Sequence, residues 1–289
     1  YFLAKILNIF KIGKAISCDG RPLIDNESVG INFWMRGTLL DIPKNLRNFK
    51  NNYVTIYNPI LKDNSKVFKI LPFDIIKTKA KENIKIIYIA KTINENNVNS
   101  NIWSTYKNQL LNNFELIDDI NFWNLNFKNN SESKNFNIYC DLKTHLRHEI
   151  ISNIKKKYTK NTILVGNNWK KYFDDSLDTT YNLKKIKNLY RGNICIDLGS
   201  TLGSNALYSR SNQIIESGGL IIQSKQIDNK EIWKNLSNEI IFNNQDFLFK
   251  LLDKLINDRS YCDHLITKIK ENFSDSKLKT KEILNQIFN

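Results

Sequence analysis

From residue 84 onward the chain alternates short, unbroken apolar runs with longer amphipathic segments. The runs are "IKIIYIA" (84–90), "TILV" (162–165) closing on Gly166, "NICIDL" (193–198), "GLIIQ" (219–223) and the shorter "EIIF" (239–242). Between them stand helix-period stretches: "KTHLRHEIISNIKKKY" (143–158), "NLKKIKNLY" (182–190) and "SNALYSRSNQIIES" (204–217). Strands that alternate with helices build a parallel sheet covered on both faces. Strands buried on both sides stay apolar throughout instead of alternating. The pattern therefore predicts a doubly wound α/β domain whose parallel strands are 84–90, 162–166, 193–198, 219–223 and 239–242, joined by right-handed crossovers. After Phe242 the periodicity is helical to the end, through "QDFLFKLLDKLIN", "RSYCDHLITKIKENF" and "KLKTKEILNQIF".

The first 80 residues are less regular. "YVTIYNPI" (53–60) has the composition of a strand, and "VFKILPFDI" (67–75) that of a closing strand. The Lys-rich "KTKAKEN" (77–83) suits a hinge. Two units are expected: 1–80, short or truncated since the chain opens at Tyr1 without a Met, and 81–289. Residues 94–137, rich in Asn, Asp and Ser, predict a polar surface insertion carrying one helix around 103–116. The opening "YFLAKILNIFKIGKAIS" (1–17) is broken by Lys5, Lys11 and Lys14 and falls short of the roughly 20 apolar residues of a membrane span. A packed helix is expected there.

The net charge is +14, but only seven of the 43 basic residues are arginine. Proteins that read bases and phosphates favour the planar, bidentate arginine fork, and no stripe of arginine interleaved with aromatics is present. Nucleic acid is not the expected partner. The charge still draws anionic partners such as nucleotides, acidic glycans or a membrane surface. Cys18, Cys140, Cys195 and Cys262 form no C-x-x-C pair, so free thiols in a reducing, cytoplasmic setting are expected, with peripheral attachment at the inner membrane face compatible with the charge.

"CIDLGSTLGSNALYSR" (195–210) is the stretch best placed for chemistry. A buried strand ends at Leu198, Gly199 and Gly203 punctuate a loop of small hydroxyl residues, and a helix is expected from Ser204. In open α/β sheets ligands bind beyond the carboxyl ends of strands, and a helix start with glycines beside it lets backbone N–H groups approach an anion. The spacing is neither a P-loop nor G-x-G-x-x-G. On the helix, Leu207, Tyr208, Ile214 and Ile215 share one arc, while Arg210, Asn212, Gln213, Glu216 and Ser217 share the other. Arg210, Gln213 and Ser217 line up at i, i+3 and i+7. A ligand surface and an ordinary solvated face both fit this wheel, and Gly218 and Gly219 equally suit a helix stop. Asp19, Asp25 and Glu27 are candidate bases or turn formers. His145 and His148 share a helix face with no third ligand in view, so no metal is expected.

The stretch "LYRGNICIDLGSTLGSNALYSRSNQIIESGGLIIQS" (189–224) resembles the C-terminal-domain signature of GT-B glycosyltransferases, in the CgeB-like branch with a family 1-type C-terminal domain. "ILVGNNWKKY" (163–172) resembles the strand-Gly-x-x-Trp element of that group, and "ILPFD" (70–74) the close of its N-terminal domain. The resemblance spans about 67–289 and is strongest over 163–223. It implies two Rossmann-like domains facing a cleft, with a nucleotide-sugar donor held mainly by the second. It also implies no cofactor and no obligatory metal, and transfer to a glycan, lipid-linked or protein acceptor in envelope glycan synthesis. Arg210 would meet the donor diphosphate; the residue pattern itself then sets Gly199, Gly203 and Ser204 at the helix start beside it and Ser217 further along the same face. Gly166 and Asn167 would line the nucleotide pocket, and Trp169 would stack there or pack in the core. Gln213 stands where the family has a ribose-binding Glu, and an amide can serve sugar hydroxyls too. Glu216 stands where the family has a small residue. A nucleotide-sugar epimerase or a catalytically silent binding module are the alternatives.

Overall fold

The computed structural model describes residues 75–93, 100–199, 206–226 and 229–275, with the backbone of four short strands nearer the N-terminus. Those strands are β1 (Ile16–Cys18), β2 (Ile31–Trp34), β3 (Asn52–Val54) and β4 (Lys66–Val67). They form a parallel sheet in sequential order, in register Ile16↔Ile31, Asn32↔Asn52 and Tyr53↔Lys66. Ile16 and Ser17, expected to end a helix, instead begin β1, because the β-branched Ile16 pairs directly with Ile31. Asp19, Asp25 and Glu27 lie outside the described residues.

The second sheet is parallel throughout and has the order β6-β5-β7-β8-β9. Its strands are β5 (Ile86–Ile89), β6 (Thr162–Val165), β7 (Ile194–Asp197), β8 (Leu220–Ser224) and β9 (Ile241–Phe242). All five fall on the apolar runs. Ile86, Ile87, Ile194, Leu220, Ile221 and Ile222 are fully buried, each such side chain contributing about 1.5–3 kcal/mol. Glu239 and Ile240, expected in the last strand, close a short helix instead, which leaves β9 two residues long.

The helices are α1 (Ser100–Asn112), α2 (Ile120–Phe127), α3 (Glu132–Lys157), α4 (Leu183–Tyr190), α5 (Ser209–Glu216), α6 (Asn229–Trp233), α7 (Ser237–Ile240), α8 (Gln245–Asn257) and α9 (Arg259–Asn272). Several start where an Asn, Asp or Ser accepts a backbone N–H: Ser131 for α3, Asn182 for α4, Asn244 for α8 and Asp258 for α9. No helix among the described residues is long and apolar enough to cross a membrane.

Two expectations are corrected. The insertion expected at 94–137 does more than carry one helix on a polar surface. Its described residues, 100–137, hold α1, a 3₁₀ turn at Phe114–Asp118, α2 and the start of α3, and they bury Trp103, Leu110, Phe114, Ile117, Phe122 and Phe127. The polar residues between these aromatics masked a core at helical spacing. Likewise 77–83 is tied down, not a free hinge. The Ile76 N–H donates to the Glu216 carbonyl, the Lys81 N–H to the Gly192 carbonyl, and Arg259 Nε to the Ala80 carbonyl.

Strand order decides where a ligand can sit. The chain runs from β5 to one edge, β6, then returns past β5 and proceeds outward through β7, β8 and β9. Right-handed crossovers on opposite faces then diverge between β5 and β7, opening a crevice at their carboxyl ends. Residues 90–92 and 198–199 stand at that point.

Candidate functional site

At the end of β7 the apolar run "ICI" delivers Asp197, which has 0% exposure. A carboxylate in that position must be satisfied by donors, and four reach it. Oδ1 accepts from the Tyr208 hydroxyl and from the Gly199 N–H at 3.1 Å; Oδ2 accepts from Ser211 Oγ at 2.8 Å and Gln223 Nε2 at 2.9 Å. Gln223, fully buried at the end of β8, also donates to the Ala206 carbonyl (2.6 Å). Its Oε1 accepts from Asn229 Nδ2 and Trp233 Nε1, both at 2.9 Å. This chain of bonds fixes 197–199, the start of α5 and α6 against one another.

Beside it is a phenol–guanidinium cluster. Arg210 Nη1 donates to the Tyr208 hydroxyl at 3.1 Å, and its guanidinium lies 5.5 Å from the Tyr208 ring centre and 5.8 Å from that of Tyr88. From α3, Arg147 turns both Nε (3.1 Å) and Nη2 (2.9 Å) onto the hydroxyl of Tyr88. Burial pushes the Tyr208 and Tyr190 hydroxyls well above the usual phenol range, so both stay protonated. Burial alone works against the Arg210 charge, but the Tyr208 oxygen and ring, the Tyr88 ring and the nearby Asp197 carboxylate outweigh it and keep the guanidinium charged. The cluster is a fixed positive site at the crevice between β5 and β7.

The expected site residues divide sharply. Arg210 is at the crevice but is not a solvated side chain without core contacts, because two tyrosines enclose its fork. Gln213, one turn further, is half-buried. Ser217 does not share their surface: it is fully buried and its Oγ donates to the Gln213 carbonyl at 2.6 Å. Glu216 pairs with Lys187 of α4 at 2.7 Å, which gives it a helix-packing role instead of a ribose. Trp169 is core, 1% exposed, with Nε1 donating to the Ala90 carbonyl at 2.7 Å and its ring stacked on His148. Gly166 has a φ of 144°, and a Cβ there would stand 2.3 Å from the Ala90 carbonyl oxygen, so backbone packing alone demands glycine. Asn167 is held beside it, its carbonyl accepting from the Thr92 N–H and its Oδ1 from Thr179. Gly199 sits at the crevice with a φ of 71°. Gly203 and Ser204 lie outside the described residues, and α5 starts at Ser209, later than the expected Ser204.

His145 and His148 turn to different neighbours. His148 Nδ1 is 2.7 Å from Thr92 Oγ1, and the ring stacks on Trp169 and leans on Tyr172; His145 stacks on Trp103. No group of three or more His, Cys, Asp or Glu that could hold a metal occurs among the described residues. Cys195 and Cys262 are buried free thiols raised out of the reactive range by burial.

Sequence reasoning passed over Asp197, Gln223, Tyr208, Tyr88 and Arg147. The signal was present for the first two: a carboxylate and an amide each closing a buried apolar strand must have buried partners. Tyr88 and Arg147 gave none, because only the β5–α3 contact brings them together. No protein-family model matches this chain, and no curated protein is significantly similar to it.

Proposed function

We propose that the protein is a GT-B-type glycosyltransferase whose second unit holds a nucleotide-sugar donor at the carboxyl ends of β5 and β7. The observation that carries this reading is the Arg210 guanidinium, permanently charged, at the switch point of a parallel sheet beside the Gly199 turn. In transfer from a nucleotide sugar the diphosphate leaves with growing negative charge. A preorganised cation in a water-poor crevice stabilises that charge more than the ground state. Tyr208 and Tyr88 hold the fork, so little ordering is needed when the donor arrives. Gly199 shapes the turn beside the crevice, its N–H and carbonyl held by Asp197 and Tyr208, and Gln213 serves ribose hydroxyls from the next turn of α5. The acceptor is a glycan, lipid-linked or protein hydroxyl presented from the first unit.

A catalytically silent nucleotide-binding module is the second reading, favoured by the enclosure of Arg210 between two tyrosine rings. A thermal-shift series with UDP, GDP, CDP and dTDP and their sugars, followed by a donor-hydrolysis assay, separates the outcomes. A ligand at 100 times its Kd adds about 2.7 kcal/mol, or roughly 5–10 °C for a unit of this size. A shift together with slow donor hydrolysis supports the transferase, and a shift without turnover supports the silent module. Unchanged melting with every nucleotide overturns both.

A further inference from the structure

The phenol–guanidinium cluster carries more positive charge than its own residues balance. Arg147 and Arg210 flank a single phenol, that of Tyr88, which is 1% exposed. Among the described residues the ion pairs all involve lysine, none of them either arginine. Glu149, two residues beyond Arg147, is turned to Lys107 at 2.8 Å. Asp197 is the carboxylate of the cluster, and its four donors leave Arg210 to reach it only through the Tyr208 hydroxyl. The Tyr88 oxygen accepts twice from Arg147, and no acceptor for its own proton is found among the described residues. Two like charges on one buried tyrosine repel each other in a partly dry site, and an anion between them relieves that repulsion. Both arginines are half-buried, so solvent reaches the cluster along them.

We propose that Arg147 is a second anion-binding arginine, and that with Arg210 it grips a doubly charged diphosphate across Tyr88. The assignment rests on reading the crevice between β5 and β7 as the ligand site. One fork comes from α3, which follows β5, and the other from α5, which follows β7, so each can take one of two linked phosphates. Tyr88 sets the spacing: its hydroxyl anchors one fork, its ring face supports the other, and its free proton is directed to a bridging or terminal phosphate oxygen.

The test uses the full chain and isothermal titration with inorganic pyrophosphate, orthophosphate and UDP. Wild type is expected to bind pyrophosphate at least roughly tenfold more tightly than orthophosphate, as two charge-assisted contacts exceed one. Arg147→Gln should lose roughly 10- to 100-fold of pyrophosphate affinity and most of that preference, the scale of one charged hydrogen-bonding group. Arg147→Lys, which keeps the charge without the fork, should lie between. Tyr88→Phe keeps both charges and should lose only several-fold. If wild type binds pyrophosphate no better than orthophosphate, the proposal is wrong whatever the variants do. It is equally wrong if folded Arg147→Gln or Arg147→Lys binds pyrophosphate within about twofold of wild type, a difference too small for a direct charged contact. Pyrophosphate gripped by both arginines while no nucleoside diphosphate binds would uphold this pair and overturn the glycosyltransferase. UDP bound equally by wild type and Arg147→Gln would do the reverse.

Discussion

Asp197 shows at single-residue scale how a buried charge becomes an organiser. Four donors converge on it, so its replacement is not a matter of one lost bond. Asp197→Asn puts an N–H₂ against a group that can only donate whichever way the amide turns, the Gly199 N–H on one side or Gln223 Nε2 on the other, while the Tyr208 and Ser211 hydroxyls could turn to accept. It should cost about 3 kcal/mol, the range for breaking a buried charged network. Urea denaturation would measure this, and a loss under about 0.5 kcal/mol, the scale of a surface change, would show that the network is slack. His148 makes a second residue-scale prediction, on pH. Burial pulls its pKa down to about 4, against 6.5 in the unfolded chain, with Glu149 opposing and His145, Lys156 and Lys107 adding to the fall. The unfolded chain therefore binds more protons between these values, so stability is full above about pH 6.5 and falls as pH drops toward 4. The ring is partly exposed, so solvent screening reduces the effect to about 1–2 kcal/mol. Melting curves from pH 7.5 to 4.5 should show it, and His148→Gln should flatten that part of the profile.

At the scale of elements, the junctions carry the sharpest constraints. β6 is followed by Gly166, whose N–H donates to the Leu177 carbonyl and where any Cβ would collide with the carbonyl of Ala90 past the end of β5. The backbone φ of 144° and the missing side chain are both required. Gly166→Ala should destabilise by about 3 kcal/mol or more, since strain and a backbone clash add. A soluble, cooperatively melting variant with an unchanged midpoint would contradict it. The far end of α3 is held differently. Lys155, almost fully buried, donates to the carbonyls of Thr159 and Thr162 and pairs with Asp175 at 2.5 Å, so one ammonium ties the end of a helix to the next strand and to the loop beyond β6. An all-apolar replacement would leave both carbonyls without their donor.

For the molecule as a whole, the parallel sheet is the cooperative unit. β5, β7 and β8 are central and buried on both faces, whereas β9 is a two-residue edge. Native-state hydrogen exchange should give the amides of β5, β7 and β8 protection close to the global unfolding free energy, and those of β9 and α7 markedly less. Equal protection across the sheet would mean that the edge strand and α7 unfold only with the core. The same hierarchy bears on function: the crevice is built on central, buried strands, which suits a site that must hold charges in fixed positions before a ligand arrives.

The positions of the five strands, the parallel sheet and the first two of the three expected closing helices were legible in the sequence, because burial on both faces writes itself as uninterrupted apolar runs; the third, "KLKTKEILNQIF", lies outside the described residues. Gly166, Gly199 and Arg210 were legible as special residues, since each breaks the local composition. The sequence could not show what each one meets. Strand order put β5 between β6 and β7, and with it brought Tyr88 against Arg147 and Arg210, residues 59 and 122 positions away along the chain. The same folding turned Ser217 and Trp169 inward and matched Glu216 to Lys187. Periodicity records which face of an element is dry. It carries no record of which elements share that face, and that pairing alone decided where the positive cluster stands.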